Sequence, residues 1–232
     1  CAAVNTVIAE EARVIIEALR KHGVVAMLLK GLDLTVRFYG DFSLRGCTDL
    51  DILIPRKDLP LANEVLLSLT YQEPVNYRDF LNLPGSLCLN SLVYRKDKGV
   101  CPIHLHWHLV NTTWPLNLLA RRIDMERIWD CAVRANLEGV DYLVPAPEHL
   151  LLYLSHHSFM HCFDKLILAV DIVKVLEKHK NILDWDKLVE CARDFGLLPA
   201  LYFSLKFVSN NFGVEVQKLR SIEKMVSCEC FK

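Results

Sequence analysis

The chain has 232 residues, 52% of them apolar, and its 27 basic residues against 28 acidic ones leave a net charge of −1. That is ample material for one large domain or two small ones without disulfide staples. The balanced charge, with no basic block, speaks against a duplex DNA partner, whose affinity would rest on many phosphate contacts. Apolar runs such as Val24 to Leu29 fall far short of the roughly 20 residues of a membrane-spanning helix, so no membrane partner is expected. Nine cysteines, scattered without the spacing of a secreted scaffold, point to a reducing cytoplasm.

In chain order, apolar positions at helical spacing run from about Asn5 to His22 and stop at Gly23, a good residue beyond a helix end. A short buried strand is predicted over Val24 to Leu29. Lys30 and Gly31 break it, and Leu32 to Tyr39 reads as a helix whose glycine-led start is a natural anion cradle. A second strand, Leu50 to Ile54, ends at Pro55, and Leu59 to Leu69 makes the next helix. Leu87 to Tyr94 and Val100 to Leu109 are strand-like runs joined by a polar turn, expected to pair as a hairpin beside the strand at Leu50. Cys131 to Leu137 and Val140 to Val144 form a further candidate pair around Glu138 and Gly139.

After Glu148 the pattern is helical: His149 to His161, Lys165 to His179, Trp185 to Phe195, Leu198 to Asn210 and a last stretch from Val214. The expected class is therefore α+β, a small mixed sheet with helices over residues 1–145 followed by an all-helical domain over 146–232. A cleft between two domains is a usual place for a ligand.

The most informative segment is LLKGLDLTVRFYGDFSLRGCTDLDILI, Leu28 to Ile54. In an extended strand residues i and i+2 share a face, so Asp49 and Asp51 set two carboxylates side by side. Oxygen ligands in that arrangement suit Mg²⁺ or Mn²⁺ and hint at phosphate chemistry. The plainer alternative is a pair of aspartates at a strand entrance. His104, His106 and His108 alternate as a candidate transition-metal comb, the alternative being histidines that are hydrogen-bonded or solvated. His157 and His161 stand at i and i+4 on one helix, but Ser158, Phe159 and Met160 between them exclude a zinc-protease motif. That pair is expected either to face the cleft or to pack against the first domain. Asp171, in an otherwise apolar helix, needs a partner, for which Lys30, Arg45 and the histidines are candidates.

Taken in order, LLKG at 28–31, Tyr39, Arg45, TDLDILI at 48–54, LHW at 105–107, LVPAPEHLLLYLSHHSFMH at 143–161, VDIVKVL at 170–176 and DWDKLVECAR at 184–193 resemble nucleotidyltransferase family 5. That group belongs to the polymerase-β-like nucleotidyltransferase superfamily. The resemblance implies transfer of a nucleoside monophosphate from a nucleoside triphosphate, ATP first, to an acceptor hydroxyl on a protein, a small molecule or an RNA. It also implies Mg²⁺ or Mn²⁺ on a carboxylate triad, with Asp49 and Asp51 as the first two members. The third is expected in an Asp/Glu-Leu-His-Trp pattern, where this chain has His104-Leu105-His106-Trp107, so His104 stands in the third ligand position. The superfamily's usual glycine-serine turn differs here: Lys30-Gly31 keeps the glycine and adds a cation, so Lys30, Gly31 and Arg45 are candidates for binding the triphosphate, and His106, His157 and His161 are candidates for the cleft. The other reading is a catalytically degenerate nucleotide- or metal-binding module of the same fold.

Overall fold

The structure, a computed structural model, describes residues 1–75, 77, 90–97, 99–110 and 117–229. By its internal contacts the chain forms two compact units, residues 1–120 with 131–145 and residues 121–130 with 146–232. The α+β class expected from the sequence is the class observed, a mixed sheet and many helices.

The first unit begins with helix α1 (Ala2–Lys21), which buries Asn5, Ile8, Ala9, Ala12, Ile15, Ile16 and Leu19 along one face. Gly23, at φ +77°, turns the chain out of the helix, and the Val24 amide returns to the Leu19 carbonyl at 2.9 Å. Strand β1 is only Met27–Leu28, shorter than the run of apolar residues around it. The helix predicted over Leu32 to Tyr39 is a single α turn, α2 (Leu32–Leu34), that widens into a π-helical turn over Thr35–Tyr39. Strand β2 (Leu50–Leu53) and helix α3 (Leu59–Ser68) follow, with Pro60 in the first turn of α3.

Strands β3 (Ser91–Tyr94) and β4 (Ile103–His106) pair antiparallel, and β4 lies parallel to β2, so the expected hairpin does sit beside the aspartate strand. The start of the predicted strand, residues 87–89, lies outside the described residues. A short helix α4 (Asn117–Ala120) closes this stretch. The second hairpin, β5 (Val133–Leu137) with β6 (Val140–Val144), joins through β6, which runs parallel to β1. The sheet order is β3-β4-β2-β1-β6-β5.

Strand alternation divides the two faces of this sheet. Leu28, Leu50, Ile52, Ile103 and Leu105 join the core with the apolar face of α1. Asp51, Leu53, His104 and His106 fall on the opposite face.

The second unit contains α5 (Met125–Asp130), α6 (Pro147–Met160), α7 (Leu166–His179), α8 (Trp185–Asp194), α9 (Leu198–Phe212) and α10 (Leu219–Glu229). The Asp184 side chain caps α8 by accepting from the Asp186 and Lys187 amides, both at 3.0 Å. Buried Glu148 accepts from the Asp184 amide at 3.0 Å, which ties the start of α6 to the start of α8. The helices α4 and α5 fall in a stretch for which the sequence pattern gave no element, because four and six residues are too short to show a period.

Candidate active site

The site is built from the ends of β1, β2 and β4. The parallel register of β2 and β4 sets Asp51 directly across from His104, and Leu53 across from His106. Asp51 is almost wholly buried at 1% exposure, an expensive place for a carboxylate unless it is paired. Its two oxygens are separately engaged: the His106 Nε2 lies 2.9 Å from Oδ1, and the Lys30 ammonium donates to Oδ2 at 2.5 Å. Burial alone would raise the Asp51 carboxyl, but Lys30 and the His106 hydrogen bond outweigh it and hold it well below the usual carboxylate range.

Lys30 leans between both aspartates, since its ammonium is also 3.5 Å from Asp49 Oδ2. Asp49 is the more open of the two, with its side chain a quarter exposed, and it also accepts from the Thr48 hydroxyl at 3.1 Å. The half-buried His104 is pushed below its ordinary imidazole value by burial, with Asp51 and Asp49 pulling the other way. Its ring centroid lies 6.2 Å from that of His106.

Gly31 supplies the turn that delivers Lys30. Its φ of +61° with ψ −108° is a backbone state that side chains disfavour, and a Cβ there would sit 3.4 Å from the Asp49 carbonyl. Arg45 is buried, and its carbonyl accepts from the Asn5 amide at 2.6 Å and from the Thr35 hydroxyl at 3.3 Å.

Those contacts identify a positioning residue that sequence reasoning passed over. Asn5, on the buried face of α1, donates to the Phe42 carbonyl at 2.7 Å and accepts from the Cys47 amide at 3.0 Å. It thereby fixes the loop that leads into the aspartates. The signal for it was present in the sequence, an amide side chain in phase with the apolar stripe of a helix. A second support lies under the turn, where buried Asp33 accepts from Arg37 Nε at 2.7 Å and Nη2 at 2.6 Å and from the Tyr142 hydroxyl at 2.9 Å.

The histidine comb does not hold together as a unit of three. His104 and His106 are in β4, but His108 lies past its end, where the sheet register no longer applies. Its Nδ1 is 3.2 Å from the Val110 amide and its Nε2 3.1 Å from the Ala120 carbonyl, so the ring is spent on backbone. His157 and His161 lie in the second unit, where their rings meet edge to face with centroids 4.6 Å apart. Lys30 pairs with Asp49 and Asp51 in its own unit.

Among the described residues, one group of three metal-type side chains gathers its donor atoms within 4.8 Å, namely Asp51, His104 and His106. Asp49 is not in that group, although the sequence placed it beside Asp51 as a ligand. Its carboxylate sits at the β2 entrance, more exposed than Asp51. The donor chemistry of the site fits a divalent cation, and His106 Nδ1 is a buried nitrogen without a hydrogen-bond partner among the described residues. It does not fit an all-carboxylate triad, because the third position carries an imidazole.

Solved structures with a similar fold are nucleotidyltransferases. The solution structure of the antibiotic-resistance factor ANT(2'')-Ia aligns with a TM-score of 0.55 at 10% identity, covering 89% of this chain and 98% of that one. The crystal structure of ANT(2'')-Ia in complex with adenylyl-2''-tobramycin gives a TM-score of 0.53 at 10% identity, covering 81% and 96%. An antigenic nucleotidyltransferase-like protein from Paracoccidioides brasiliensis gives 0.51 at 11% identity, covering 92% and 94%. No curated protein sequence matches the chain. The sequence does match, over residues 1–213, the family described as uncharacterised nucleotidyltransferase, and the chain belongs to that family.

Proposed function

We propose that the protein transfers a nucleoside monophosphate, adenylate first, from a nucleoside triphosphate to an acceptor hydroxyl, with Mg²⁺ or Mn²⁺ at the site of Asp49, Asp51 and His104. The observation that carries this reading is the cation already seated between two carboxylates, the Lys30 ammonium against Asp51 and Asp49. A site that holds one cation there is prepared for the charge of a metal-bound triphosphate. The acceptor oxygen bonds to the α-phosphorus, the bridge to the β-phosphate breaks, pyrophosphate departs and the hydroxyl proton passes to water. A divalent ion bound at the site supplies charge neutralisation for the triphosphate.

The chain's own residues do the positioning. Gly31 lets backbone approach the phosphates, Lys30 can turn from the aspartates to them as a point charge, and Arg45 offers planar donors. The adenylylated tobramycin bound by ANT(2'')-Ia supports adenylate as the transferred group. The acceptor class, whether small molecule, protein or RNA, is set by contacts outside this cluster.

Thermal stability with each of the four ribonucleoside triphosphates, with Mg²⁺, Mn²⁺ or neither, tests the proposal. One nucleotide should raise the melting temperature by about 5–10 °C at a ligand excess near a hundredfold over Kd, and only with metal. Asp49→Ala should abolish that shift while leaving the unliganded melting temperature similar. No shift under any condition would overturn the reading.

One observation favours the second reading, a non-catalytic module of the same fold: His104 stands where a third carboxylate is expected. His104→Asp separates the two. It should raise Mg²⁺-dependent transfer if the site is catalytic and leave it at background if it is not.

A further inference from the structure

We infer that Asp51, His104 and His106 form a single-ion site that selects a first-row transition cation over Mg²⁺, a metal choice that deepens the nucleotidyl-transfer reading and rests on it. Two strands fix the donors. The β2–β4 register sets His104 opposite Asp51, and the two-residue period of β4 brings His106 to the same face. Three donor atoms, two nitrogens and one oxygen, then lie within 4.8 Å of one another. Two imidazoles and one carboxylate with open positions are a ligand set for Mn²⁺, Fe²⁺, Co²⁺ or Zn²⁺, whereas Mg²⁺ prefers oxygen donors and keeps its waters.

Three further observations point the same way. His106 is buried, yet its Nδ1 has no hydrogen-bond partner among the described residues, while its Nε2 lies against Asp51. A buried nitrogen left in that state is costly unless something occupies it. The charge balance also matters: Lys30 offsets one of the two aspartates, which leaves a net −1 across Asp49, Asp51 and Lys30. Hard Mg²⁺ depends on accumulated negative charge, but nitrogen ligands bind a transition ion with little of it. Finally, His108 is withdrawn to the backbone, so the nitrogen donors are limited to a pair on one face.

The test uses Co²⁺ alone on the whole chain, without nucleotide, and reads visible absorption. One Co²⁺ per chain should give a d–d band that a large excess of Mg²⁺ fails to remove. His104→Ala and His106→Asn should each weaken Co²⁺ about tenfold or more. His104→Cys should add a thiolate-to-cobalt charge-transfer band that the parent lacks, a gain of signal that needs a folded site and is compared with the parent's own cysteines. Displacement of Co²⁺ by equimolar Mg²⁺, or a His104→Cys spectrum identical to the parent's with an unchanged circular dichroism spectrum, would overturn the inference. The nucleotide reading fails separately. A normal Co²⁺ site with no triphosphate shift sinks nucleotidyl transfer and leaves the metal site, and a triphosphate shift equal in Mg²⁺ and Mn²⁺ without a cobalt band does the reverse.

Discussion

A carboxylate as buried as Asp51 stays ionised only because two partners, Lys30 and His106, divide its oxygens. Lys30→Met removes the ammonium and leaves the anion with His106 alone. Breaking a buried pair from one side costs about 3 kcal/mol or more, so urea unfolding at pH 7 should show a loss of that order. The pH dependence follows from the depressed carboxyl. Its stabilisation is complete above the ordinary aspartate value of about 4 and is lost as pH falls below it toward the folded value. In Lys30→Met the folded carboxyl titrates higher, so the stability gap between parent and variant should begin to close below about pH 5 and keep narrowing as pH falls toward the parent's depressed folded value. A gap that is constant with pH would mean that Lys30 acts through packing of its stem. The same variant should bind Co²⁺ more tightly, since the competing cation is gone, and a metal-bound triphosphate more weakly.

At the scale of the element, the site depends on a turn and not on a helix start. The sequence pattern announced a helix from Leu32, but only one α turn forms before the backbone opens into the π-helical turn at Thr35–Tyr39. Thr35 explains part of this, since its hydroxyl bonds the Gly31 carbonyl at 3.1 Å and the Arg45 carbonyl at 3.3 Å, a tertiary contact invisible to periodicity. Gly31→Ala should lower stability by about 1–3 kcal/mol, from its positive-φ backbone state. Chemical denaturation reads it, and an unchanged midpoint would show that the turn relaxes freely.

The strands, the helix α1 and the pairing of β4 beside β2 were legible because two-residue and helical periods report burial directly. Asp51 and His104 were legible through spacing and resemblance. What spacing could not give was the partner: that His106 meets Asp51 while His108 turns away depends on where β4 ends, and element ends are set by local backbone contacts.

Across the whole molecule, the division into units is not a single cut in the chain. Residues 121–130 lie between β4 and β5 of the first unit in sequence, yet they pack with the second. The reason is at the end of α8. Arg122 donates to the Arg193 carbonyl at 2.6 Å and the Asp194 carbonyl at 3.2 Å, and Arg127 reaches the Asp194 carboxylate at 3.3 Å. Cations there satisfy the last carbonyls of the helix and complement its dipole, and Ile128 is fully buried beside them. Ile128→Ala removes apolar volume from the second unit, at a cost of about 2–5 kcal/mol. Hydrogen exchange should therefore rise in α8 while β2 and β4, which carry Asp51 and His104, keep their protection and the cobalt spectrum its intensity. If protection in β2 and β4 fell in step with α8, residues 121–130 would be holding the metal-site sheet together as well, and the assignment of that segment to the helical unit would fail.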